Sequence, residues 1–159
     1  MIRHLGTGVS IGAAFIDSER DVAYRLRLAD GFLGEAEEDL RLRRWRSAVD
    51  NAQLSVENSV KAVIARHRPM PRSHDLVGPL DELRGSRRLD PAEDEAMSVL
   101  RACATELGYE QHVRSDYGEE ASFRTPWELF GEDDAERAVE TARRARLIAR
   151  GLLERSTGG

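Results

Sequence analysis

The stretch RHRPMPRSHDL, residues 66–76, holds two residue types that acid–base chemistry on a phosphate ester needs: Arg68 and, after five intervening residues, His74. An imidazole titrates near neutrality and can move a proton. A guanidinium offers a planar fork that holds a phosphate as charge develops on it. Acting together, the two would form the catalytic pair of a metal-independent phosphodiester cleavage. Acting separately, they would contact an anionic ligand without chemistry. A plainer role is also open. Pro69 and Pro71 exclude helix before them, so the stretch is a hinge. Ser73, His74 or Asp75 can then cap the helix that follows, with Asp75 fixing the His74 ring.

The elements that position these residues are helical throughout. Val22, Leu26, Ala29, Leu33, Ala36 and Leu40 recur at three- and four-residue steps and predict a first helix over about 19–43, with Ser18 as its cap. Val49, Ala52, Val56, Val60, Val63 and Ile64 predict a second over about 47–66, capped by Ser47. The short gap makes the two an antiparallel hairpin. A short third helix is expected over about 75–84. The run LDPAE starts a fourth: Asp90 caps, Pro91 takes the first helical position and Glu93 completes a capping box, with Gly108 as the stop. Residues 108–131 lack clear periodicity and read as a long loop, a length that often signals function. Three acids at 132–134 open a last helix to about 155, lined by Ala135, Ala138, Ala142, Ala145 and Ala149. The fold class is all-α, an up-and-down bundle of four main helices plus one short helix. It is expected over 17–156, after an N-terminal arm at 1–16.

Alternating helix directions would bring the loop at 66–74 and the loop at 108–131 to one pole. Arg66, Arg68, Arg72 and His74 would there meet Arg114, Tyr117 and Arg124, an anion-binding cleft beside the start of helix three. The alternative is that these arginines pair with Asp116, Glu119 and Glu120. A second basic group, Arg41, Arg43, Arg44 and Arg46, would face Arg84, Arg87 and Arg88 at the other pole. Trp45 reads as an anchor for the hairpin tip in preference to a ring that stacks on a base, and Trp127 with Phe130 as a staple for the last helix in preference to part of a dimer seam.

Composition bounds the partners. The 159 residues carry a net charge of −5, which argues against generic binding to DNA. Residues 1–88 hold 15 Lys+Arg against 13 Asp+Glu, and residues 89–159 hold 9 against 16, so anion contacts must come from local patches. Lys61 is the sole lysine, and arginine pairs with phosphate bidentately. Cys103, the one cysteine, lies among apolar residues and reads as core, so a reducing cytoplasm is expected. The opening MIRHLGTGVSIGAAFI has a basic start and a short apolar stretch, faintly like a leader, but three glycines interrupt it and a loosely docked arm is expected. No membrane span, metal-ligand spacing, glycine-rich phosphate loop or cofactor motif is present.

Four segments in order resemble the HEPN family (higher eukaryotes and prokaryotes nucleotide-binding domains). EAEEDLRLRRWRSAVDNAQLSVENSVKAVIA at 35–65 resembles its first hairpin, with Gln53, Glu57 and Lys61 in the family's spacing. PRSHDL at 71–76 resembles the start of its third helix. VRSDYG at 113–118 and PWELFGEDDAERAVETARRA at 126–145 resemble its later loop and closing helix. The resemblance implies a bundle that commonly forms a homodimer. It also implies links to nucleotides, RNA or a partner nucleotidyltransferase, as in a toxin–antitoxin module. Members that cleave RNA carry an Arg, four to six residues and a His near a late helix. Here the late helices hold no histidine and only Arg68 with His74 fits, in a different loop. The readings carried forward are a binding module, a metal-independent endoribonuclease using His74 and Arg68, and a purely structural dimerisation module.

Overall fold

The hairpin that carries most of the core is held by small residues. In the computed structural model, which describes residues 11–70, 72–73 and 75–155, α1 spans Ile11–Arg41 and α2 spans Trp45–His67. Ala29, Ala36, Ala48 and Ala52 are fully buried between them, which lets the backbones approach closely. Two serines use that closeness. Ser55 Oγ donates to the Ala29 carbonyl at 2.8 Å and Ser18 Oγ to the Ala65 carbonyl at 2.7 Å. Ser18 is therefore not a cap: α1 begins upstream of it, and its hydroxyl ties α1 to the far end of α2. Ser47 is not a cap either. Arg43, at a left-handed φ of 60°, turns the chain so tightly that α2 starts at Trp45.

The helices α3 (Val77–Gly85), α4 (Pro91–Glu106) and α7 (Glu132–Arg155) complete the bundle. Among the described residues no strand forms, and the architecture is an all-α helical bundle. No helix of the described residues is long and apolar enough to cross a membrane. The capping box forms as the sequence requires: Glu93 N–H donates to Asp90 Oδ1 at 2.8 Å, and Glu93 Oε2 accepts from Asp90 N–H at 3.1 Å. The side of α7 facing α1 and α2 buries Ala135, Ala142, Ala145 and Ala149. Arg146 grips Asp30 at 2.5 and 3.0 Å and Arg143 reaches Glu37 at 3.1 Å, so α7 runs antiparallel to α1.

The region 108–131 is largely helical, where the sequence pattern suggested a loop. It holds α5 (Tyr109–Tyr117), a 3-10 turn at Glu120–Ser122 and α6 (Pro126–Leu129). The inward face of α5 is polar, which hides its period: Ser115 is fully buried and donates to Asp50 Oδ1 at 3.0 Å. Gly108 precedes α5 as its N-cap, and Leu107 closes α4.

Helix directions also differ from simple alternation. After His67 the chain doubles back along α2, and Leu76 and Val77 line a cavity with Val56 and Val60. The nine residues of α3 then return to the α2 C-terminus, where Ser86 meets Arg68 and Arg87 meets His67. So α3 runs in the direction of α2, and α4 and α5 together climb back to the α2 N-terminus.

Candidate functional site

The chain reversal before α3 sorts the site residues into two separate poles. At the His67 pole, Arg66 Nη1 lies 2.5 Å from Glu19 Oε1 in an ion pair, and the Arg66 Nε is buried without a hydrogen-bond partner. Arg68 donates to Ser86 Oγ at 2.9 Å and lies 3.5 Å from Glu82. Its fork is thus turned onto α3. Arg72 is exposed. His74 lies outside the described residues, as does Pro71, so the Arg68–His74 pair does too. His67 Nδ1 accepts from Arg87 Nη1 at 2.7 Å. Burial, then the charges of Arg87, Arg66 and Arg68, push its pKa down to about 4.

The other predicted residues lie at the Trp45 pole. Arg114 sits 5.9 Å from the centre of the Phe130 ring, with its Nε buried and unpartnered. Arg124 donates to the Glu128 carbonyl at 2.8 Å. Tyr117 is 76% exposed. The expected convergence of Arg66 and Arg68 with Arg114, Tyr117 and Arg124 therefore does not occur. The basic groups exchange neighbours: the segment holding Arg84, Arg87 and Arg88 joins the His67 pole, while Arg46 joins α5 and α6. The cause is the change of direction between His67, which ends α2, and Leu76, which lies back beside Val56 and Val60; it adds a reversal that a helix count omits.

Arg46 is the hub of the Trp45 pole. Its Nη1 donates to the Ser115 carbonyl at 2.8 Å and lies 3.5 Å from Asp116 Oδ1. Its guanidinium sits 5.7 Å from the centre of the Trp127 ring. Trp127 is 74% exposed, so it is no staple for α7; Phe130, 7% exposed, joins the core instead. Arg43 lies 5.5 Å from the Trp45 ring, which packs against the core as an anchor. Phe123, 93% exposed, tips the turn between α5 and α6 at a left-handed φ of 56°. A bridge between Glu119 and Arg124, bonds of 2.8 and 3.1 Å, holds that turn.

Sequence reasoning did not bring together the residues beside this hub. His112 Nδ1 lies 2.9 Å from Asp50 Oδ1 and Nε2 lies 3.5 Å from Asp116 Oδ2. Asp50, His112 and Asp116 place one ligand atom each within 4.8 Å of one another, close enough to hold a cation. Arg46 already brings positive charge to Asp116. The signal was the i, i+4 spacing of His112 and Asp116, which counts only once 109–117 is known to be helix.

Comparisons with known proteins agree on the fold. The family model for the HEPN domain matches residues 22–152. The crystal structure of TT1696 from Thermus thermophilus is similar, with a TM-score of 0.61 and 18% identity over 82% of this chain and 97% of that one. No curated protein sequence matches.

Proposed function

The chain belongs to the HEPN domain family, and on that premise we propose that it binds single-stranded RNA or a nucleotide through the Trp45 pole. One observation carries the reading: the Arg46 guanidinium over an indole that is 74% exposed. Unstacked bases bind on aromatic faces while arginine holds the neighbouring phosphate. Tyr117 and Phe123, on the same protrusion, supply two more exposed rings. Arg43, Arg44 and Arg124 supply charge around them. Asp116 limits the affinity, because it competes with phosphate for Arg46.

The test is fluorescence anisotropy of a labelled single-stranded 12-mer RNA at low salt. The proposal expects saturable binding that Trp127→Ala weakens about tenfold, the loss of one stacked base at roughly 1–3 kcal/mol. Wild-type protein that leaves the RNA free would overturn it.

The same three exposed rings favour a second occupant, a protein surface. A homodimer, or a partner nucleotidyltransferase in a toxin–antitoxin pair, would cover Tyr117, Phe123 and Trp127. Light scattering of wild type beside Phe123→Ala decides this. A dimer that becomes monomer in the variant supports the homodimer interface, and unchanged mass sinks the homodimer at this face.

A further inference from the structure

Where α5 packs on α2, Asp50 meets His112, Ser115 and Asp116. Ser115 is fully buried and donates to Asp50 Oδ1 at 3.0 Å, and the same oxygen lies 2.9 Å from His112 Nδ1. An ionised carboxylate only accepts, so Nδ1 carries a proton and donates it. In the neutral ring the lone pair is then on Nε2. That atom lies 3.5 Å from Asp116 Oδ2, so two acceptors approach each other.

Two acceptors stay this close only with a cation between them. A proton on Nε2 would draw the pair to the roughly 2.7–2.9 Å of a charge-assisted hydrogen bond. A metal ion sets a wider gap. Two ligand atoms each about 2.1 Å from a tetrahedral ion are about 3.4 Å apart. The 3.5 Å observed is that spacing. The i, i+4 separation puts both atoms on one face of α5. Asp50, locked by Ser115, is the outer carboxylate that fixes the tautomer and orientation of a metal-binding imidazole. Charge agrees with the geometry. Asp50 and Asp116 bring two negative charges, and Arg46, 3.5 Å from Asp116 Oδ1, returns one. Arg46 lowers the affinity for a cation, but it takes the other oxygen of Asp116 and leaves Oδ2 to face the ring. An imidazole ligand favours zinc-like ions over magnesium or calcium.

We propose that His112 Nε2 and Asp116 Oδ2 bind a divalent transition ion of the zinc class, with water completing its shell and Asp50 positioning the ring. The site does not depend on the RNA-binding reading, since its ligands are complete without nucleic acid.

The test titrates the full chain with zinc and, separately, with magnesium, and follows the histidine ring nitrogens by NMR near neutral pH. His112→Gln assigns the His112 signals by their loss. The expected result is a saturable shift of His112 Nε2 at one zinc per chain, with magnesium leaving it in place. Asp116→Asn keeps the size of the side chain and removes its charge, and should weaken zinc about tenfold or more. Asp50→Asn, which loses only the outer carboxylate, should weaken it about 10- to 100-fold. An Nε2 signal unmoved by excess zinc, magnesium that displaces zinc at equal concentration, or full affinity in Asp116→Asn would overturn the proposal. The wild-type titrations decide the matter even if a variant fails to fold.

Discussion

His67 is neutral at physiological pH because it is partly buried among Arg66, Arg68 and Arg87, which hold its pKa near 4 against an ordinary 6.5. The unfolded chain therefore binds the proton first. Stability from this group is complete above about pH 6.5 and is lost as pH falls toward 4, by an amount of order 1 kcal/mol after solvent screening. Thermal melts across that window should show the loss, and His67→Gln should flatten it; an unchanged profile in the variant would refute this assignment. Arg68 a residue later was legible as a phosphate-holding type, but its partners were not. Ser86 and Glu82 sit 18 and 14 positions away, brought in by a reversal no local pattern encodes. With that fork engaged on α3, the account expects RNA to stay intact in EDTA between about pH 5 and 8. Cleavage that peaks near neutrality and disappears in His74→Ala would contradict it. Cys103 was legible as core from its apolar neighbours; it is buried, and burial pushes its thiol pKa up.

At the scale of elements, apolar period and cap chemistry were enough wherever the inward face is apolar. The start of α4 is the clearest case, and Asp90→Ala should cost about 1 kcal/mol, read as a lowered denaturant midpoint with unchanged slope. Helix α5 was not legible because it packs through His112 and Ser115, polar residues that satisfy Asp50 on α2. The turn after it depends on Gly118, whose φ of 77° and contact geometry leave no room for a side chain: an added Cβ would lie 2.3 Å from the Arg124 carbonyl oxygen. Gly118→Ala should therefore break the Glu119–Arg124 bridge, cost roughly 1–3 kcal/mol, and weaken RNA binding together with stability. Retained affinity at full stability would show that the turn does not position Phe123 and Trp127.

For the whole molecule, close packing of α1, α2 and α7 on fully buried alanines gives a bundle whose two poles are chemically different. One pole ties its arginines to α1, α3 and His67. The other presents Arg46, Arg43 and Arg44 beside exposed rings. Family membership was readable from ordered segments, whereas the pole each loop occupies was not, since it turns on α3 starting back beside Val56 and Val60. Because the chain is acidic overall, RNA affinity needs a local basic patch, and the proposed reading assigns it to that face. The most direct measurement is the salt dependence of single-stranded RNA binding for wild type and Arg46→Ala. Each phosphate neutralised on a single strand contributes a log–log slope of about −0.7. The account predicts a wild-type slope reflecting a few phosphates, reduced by about one phosphate's share in Arg46→Ala with weaker binding at every salt. Equal slopes and affinities for the two proteins would contradict the claim that this pole holds RNA.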